Sequence, residues 1–213
     1  MRLEIAKVYR AWLSGVTDIG SNCFISCTSL KKVTLPSTLK SIGVYAFEFC
    51  SSLTDINIPS RVEKIGECAF KDCISLKKVN IPSGVEVIGV ATFKGCSSLE
   101  SVKMSQGLKE IEFNAFKDCT KLSSLSFPAS LEKFDAASLD GCISMDTINL
   151  SLQNDSFRSE NGAIFSADGT KLYYYPRTRE GVYTIPDNVT EICSYAFSDC
   201  SKLKEVIIGE GVS

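Results

Sequence analysis

The sequence predicts an α/β repeat solenoid with a parallel β-sheet along one face and a β-hairpin insertion, and three observations carry that prediction. Cysteines fall at 27, 50, 73, 96, 119 and 142, a constant step of 23, and Cys200 is in phase after one longer gap. The apolar residues keep step with them: Phe47, Phe70 and Phe93 stand three before a cysteine, Ile42, Ile65 and Ile88 eight before, and Leu53, Leu76 and Leu99 three after. Where residues 129–151 depart from the pattern, Phe134 replaces Ile, Leu139 replaces Phe and Met145 replaces Leu. One slot grows as its neighbour shrinks, so core volume is kept. A fixed period in the twenties marks coils that stack, because one coil cannot bury its apolar side alone.

The coil at 60–82, "SRVEKIGECAFKDCISLKKVNIP", justifies the elements in order. Val62 and Ile65 cross one side, and Gly66 permits a turn. Ala69, Phe70 and Cys73, at i, i+1 and i+4, fit one short helical turn directed inward. Leu76, Val79 and Ile81 form L-x-x-V-x-I, whose last two residues alternate as a strand does. Pro82 has no N–H to donate and closes that strand. Stacking at about 4.8 Å then implies a continuous parallel sheet along one face.

The cysteine column raises three alternatives. Metal ligation is disfavoured, since no C-x-x-C pair and no histidine accompany it and a tetrahedral site needs convergent ligands. Coil spacing brings neighbouring Cα atoms near disulfide range, but seven in-phase thiols cannot all pair and stacked side chains run parallel. The packing reading makes each thiol a small buried hydrophobe with a weak S–H donor for nearby backbone. Cys23 shares the slot of Ala46 and Ala69 and is expected in the core, whereas Cys68 and Cys193 sit at variable turn positions and are expected to be the exposed thiols.

The remaining segments are read from their departures. In 1–13, Ile5, Val8, Trp12 and Leu13 have helical spacing and suggest an N-terminal cap on repeats 14–151. Residues 152–186 break the period. There Asn161-Gly162 and Asp168-Gly169 are turn dipeptides, and the second, between "AIF" and "KLYYY", predicts a β-hairpin. "VYTIP" supplies a return strand for the further repeat at 187–213. That repeat stops at "GEGVS", which matches the start of a coil, so the chain reads as a piece of a longer protein.

Composition excludes several functions. The chain has 213 residues, no histidine and a net charge of −2. That charge gives no reason to expect nucleic acid or an anionic membrane as partner. No apolar run is long enough to span a bilayer, and Arg2, Glu4, Lys7 and Arg10 interrupt the start, which does not read as a secretory signal. Without histidine, a phosphate-binding glycine loop or a metal constellation, the sequence predicts neither an enzyme nor a cofactor.

The repeat "IGxxAFxxCxxLxxVxIP", as in "IGECAFKDCISLKKVNIP", resembles the BspA-like class of leucine-rich repeat over residues 14–213. The resemblance implies a right-handed leucine-rich-repeat solenoid. It also implies a secreted or cell-surface location and a protein-binding or adhesion role towards host matrix or cell-surface proteins; the alternative is a structural spacer presenting other domains. It carries over no functional residues, because the motif is all core.

Candidate contacts therefore come from outside the motif. In L-x-x-V-x-I the third and fifth residues point away from the core, among them Lys32, Asp55, Lys78 and Lys103, on a polar surface of mixed charge. Alternation puts Tyr173 and Tyr175 on one face of the expected hairpin, where exposed rings would be anchors for a partner. Lys71, Lys94 and Lys117 align on the opposite side beside Asp72 and Asp118. Asn149, Asn154 and Asn188 each begin N-x-S/T.

Overall fold

A computed structural model describes residues 15–212, so the expected cap at 1–13 lies outside the described residues. The chain winds into a parallel β-solenoid of about eight turns. Each coil contributes two strands rather than the single sheet strand expected. One ladder runs through Asp18–Ile19, Ser41–Ile42, Lys64–Ile65, Val87–Ile88, Glu110–Ile111 and Lys133–Phe134. The other runs through Lys32–Val33, Asp55–Ile56, Lys78–Ile81, Ser101–Met104, Ser124–Phe127 and Thr147–Leu150. Register is one full period, with Ile42 opposite Ile65 and Val79 opposite Val102. Neither ladder is continuous: pairing is divided among groups of two or three strands.

The α/β expectation is corrected. The side carrying Ala69, Phe70 and Cys73 is a chain of tight turns, and the only helix among the described residues is a four-residue 3-10 segment, Ala136–Leu139. The cause is backbone conformation. Each regular turn side holds two left-handed residues four apart, such as Tyr45 and Phe49 or Cys68 and Asp72, with φ between 55 and 59°. That interval interrupts any right-handed helix.

Hydrogen bonding makes these turns a third ladder. Tyr45, Phe47 and Phe49 donate N–H to the carbonyls of Glu67, Ala69 and Lys71 in the next coil, at 3.0, 2.7 and 2.9 Å. The residues between them, Ala46, Glu48 and Cys50, donate three residues back within their own coil. Every second N–H thus serves stacking, and the buried backbone is satisfied without helix. Gly66 is needed for a different reason from the turn expected of it. A Cβ there would lie 2.5 Å from the Val44 nitrogen, so the glycine permits close approach of successive coils.

The core is columnar. Phe24, Phe47, Phe70, Phe93 and Phe116 stack with ring centroids 5.0–5.6 Å apart and planes within 8° of parallel. At residues 129–151 the column meets Leu139, and a separate aromatic group closes the space beside it: Phe134 and Phe157 both pack on Phe127.

Residues 152–186 leave and rejoin this frame. Asn154 turns the chain outward: its amide nitrogen donates to the Pro128 and Leu131 carbonyls, both at 2.9 Å, and its oxygen accepts from Ser156 and Phe157 N–H. Phe157–Glu160 then pairs antiparallel with Ala163–Ser166, which pairs antiparallel with Lys171–Tyr174. The strand Phe157–Glu160 was not expected. Lys171–Tyr174 pairs parallel with Glu191–Ile192, and Gly181–Thr184 with Leu203–Ile207, so both ladders resume.

Candidate binding surface

The thiols are occupied by structure. Cys50, Cys73, Cys96, Cys119 and Cys142 are buried, and each places Sγ 3.1–3.2 Å from a phenylalanine carbonyl 26 residues earlier. That same carbonyl also accepts the N–H of the cysteine in its own coil, as Phe47 does from Cys50 at 3.1 Å. Both lone pairs are thereby used. Burial pushes the thiols up, Cys50 to about 11 and Cys142 to about 12, which removes thiolate chemistry near neutral pH. All ten cysteines are free. The expectations for Cys23, Cys27, Cys68 and Cys193 are corrected: Cys23 and Cys27 are the exposed thiols, whereas Cys68 and Cys193 are half-buried.

At residues 129–151 the ladder finds no cysteine one period on. There the Leu139 carbonyl accepts from the Arg177 guanidinium at 2.9 Å, in addition to Cys142 N–H. Arg177 is 2% exposed and pairs with Asp199, whose carboxylate also accepts the Gly141 N–H at 2.9 Å. Asp140 next to it accepts from Lys117 and Ser198. Burial alone would raise the Asp140 carboxyl, but these two donors and the nearby cations hold it below its ordinary value. Nothing in the sequence pairs Arg177 with Leu139, because their separation is not a repeat distance.

The tyrosine expectation is also corrected. Tyr175 is 6% exposed and stands where a phenylalanine stands elsewhere: its N–H donates to Ala196 at 2.9 Å and its ring packs on Phe197 and Tyr183. The strand ends at Tyr174, so the alternation used to place Tyr175 outward stops one residue too soon. Tyr174 is buried as well, with its hydroxyl donating to the Met145 carbonyl. Only Tyr173 keeps a half-exposed ring, set edge-on against Phe157. The segment thus covers the coil at 129–151.

On the second ladder the outward residues are solvent-facing. Lys78–Ile81 and Ser124–Phe127 alternate exposed and buried, and Lys32, Asp55, Lys78 and Lys103 are all exposed. Lys32 lies opposite Asp55, and Lys78 opposite Ser101. Asp55, Lys78 and Ser101 line one shallow hollow of about 580 Å³ together with Thr54, Lys77 and Glu100. Lys103 stands one step along the strand from it, opposite Asn80. On the turn side, two of the aligned lysines are paired between coils: Lys71 with Glu48 at 2.5 Å and Lys117 with Asp140 at 2.6 Å. Of the three N-x-S/T asparagines, Asn154 and Asn188 spend their side-chain amides on backbone carbonyls.

Among the described residues no helix is long and apolar enough to cross a membrane, and no group of three or more potential metal ligands converges. No curated protein matches the chain. Among solved structures, it is similar to a leucine rich cell surface protein from Faecalibacterium prausnitzii, at 36% identity and a TM-score of 0.84, over 92% of this chain and 53% of that one. It is also similar to the pneumococcal vaccine antigen PcpA, at 25% identity and 0.76, over 93% and 52%. A leucine-rich repeat protein from Bacteroides ovatus aligns at 26% identity and 0.58, over 92% and 46%. The chain spans about half the length of these structures. The model of the BspA type leucine rich repeat region matches six copies, over residues 17–146 and 171–213. With the repeat, the coil geometry and that match in agreement, the chain belongs to the BspA type leucine-rich repeat family.

Proposed function

We propose that the chain is a cell-surface or secreted protein-binding module that engages host matrix or cell-surface proteins through the outer face of its second ladder. The observation that carries this reading is the division of labour along each coil. The repeated residues are spent on packing, while Lys32, Asp55, Lys78 and Lys103 stand free on regular strands. A rigid array of polar side chains one coil apart suits a broad, multivalent contact. The cell-surface and vaccine-antigen descriptions of the similar structures support the location.

Surface binding to immobilised fibronectin and fibrinogen tests the reading, with Lys78→Glu/Lys103→Glu beside the wild type. Saturable binding that the variant loses supports it. Binding by neither chain favours a spacer that presents other domains, a role that the small polar residues Ser124, Ser126 and Asn149 on the same face also suit.

A further inference from the structure

The first ladder carries a second surface, independent of the strand face above. Two hollows of about 630 and 580 Å³ lie along its outer side and share Glu112, so they form one groove across successive coils. Gly66 and Gly89 keep part of its floor free of side chains. Ile65 and Val87 supply apolar wall at one end, and Val90, Phe113 and Tyr173 at the other. Phe113 is 45% exposed, although it stands in a slot filled elsewhere by Val44, Glu67 or Val90.

Charge in the groove has one sign in excess. Elsewhere on the solenoid, acids and lysines one coil apart neutralise each other, as in Lys71–Glu48 and Lys117–Asp140, and of the groove's own acids Glu86 is paired in the same way with Lys109. Glu63, Glu67, Glu112, Glu132 and Asp135 line the groove, and none of them joins an ion pair among the described residues. Lys133 is taken by Glu110, which leaves Lys64 as the groove's unpaired cation among the described residues. Glu112 accepts the Val90 N–H through Oε2 and Asp135 accepts the Ala137 N–H, but neither holds a cation, so the exposed Phe113 ring beside these carboxylates offers a guanidinium both an ion-pair partner and a π-face.

We infer that this groove docks an extended, arginine-rich segment of a protein partner, with an arginine seated between Phe113, Tyr173 and the carboxylates of Glu112 and Glu132. Charge complementarity selects this occupant: an acidic or neutral segment would leave the row of carboxylates uncompensated. The outer carboxylates Glu63 and Glu67 take the segment's further basic residues, and the apolar wall takes their methylene stems.

Fluorescence anisotropy of the full chain with a labelled peptide of alternating arginine and serine, beside one of alternating glutamate and serine, tests the inference. Binding of the arginine peptide alone is expected, weaker by about tenfold in Glu67→Lys/Glu132→Lys. Phe113→Ser, at unchanged charge, is expected to weaken it about twofold to fivefold. Glu180→Lys/Asp187→Lys, with the same change in net charge on exposed residues outside the groove, is expected to shift it by less than about twofold. If the first charge reversal disturbs folding, Glu67→Gln/Glu132→Gln replaces it. Absence of binding, equal loss in both charge reversals, or an unaffected Phe113→Ser would each overturn the assignment.

Discussion

The thiol of Cys73 donates to the backbone carbonyl of Phe47, with Sγ 3.1 Å from the oxygen, and so ties one coil to the coil before it. Four other cysteines repeat the contact. The fixed cysteine is therefore a stacking residue, selected for volume and for a donor that fills a carbonyl's second lone pair.

Removing one thiol should destabilise without unfolding. Cys96→Ala deletes a buried sulfur and the bond to the Phe70 carbonyl, at an expected loss of about 1–2 kcal/mol in urea unfolding. Cys27→Ala, on an exposed thiol, should change stability by less than about 0.5 kcal/mol.

Two glycines in the same slot should behave differently. Gly66→Ala places a methyl 2.5 Å from the Val44 nitrogen and should cost about 2–3 kcal/mol, because backbone must shift. At Gly89 the nearest atom is the Glu112 carboxylate at 3.5 Å, so Gly89→Ala should stay within about 0.5 kcal/mol of wild type. Thermal melts of the two variants side by side check this.

Arg177 should be the local fastener of residues 129–151 to the returning coil. Arg177→Ala leaves the Leu139 carbonyl one donor short and Asp199 without its cation, at an expected cost of about 3–4 kcal/mol. Arg177→Lys should cost about 1–2 kcal/mol, since an ammonium lacks the fork that reaches both partners. Native-state hydrogen exchange should show the loss around Ser138–Cys142 and Ala196–Cys200, with the coils at 39–96 retaining protection.

Asp168 should remain ionised well into acid. Hydrogen bonds from Ser166 and from the Thr170 N–H and hydroxyl hold its carboxyl down at about 2, against an ordinary 3.8. A depressed folded value means that its contribution is fully present above pH 3.8 and is lost as the pH falls through about 2. Carboxyl titration by NMR should show that midpoint in wild type, and in Asp168→Asn the neighbouring Thr170 amide should lose its acid transition.

Much of this fold was legible because its core is periodic: Phe47, Phe70 and Phe93, or Cys73 and Cys96, announce stacked slots without any structural knowledge. What escaped the sequence was conformation inside the coil. Cys68 and Asp72 break the expected helical turn by adopting positive φ, yet Tyr45 and Phe49 do the same in the neighbouring coil, so residue type gave no warning. The two-residue strand Lys64–Ile65 was too short to show alternation. Tyr175 was misplaced because a strand's end is not written in its alternation. The candidate surfaces were only partly legible: Lys32 and Lys78 follow from strand alternation, whereas Phe113 and Glu132 share a groove only because adjacent coils bring them together.

The repeated cysteine packs and neither ligates, pairs nor reacts. Thiol labelling with iodoacetamide at pH 8, read by peptide mass spectrometry on the native and the unfolded, unreduced chain, separates these roles. Packing alone gives rapid labelling of Cys23 and Cys27 in the native chain, none at Cys50, Cys73, Cys96, Cys119 or Cys142, and complete labelling of all ten after unfolding. Native labelling along the column, or sites that stay blocked after unfolding until a reductant is added, would contradict it.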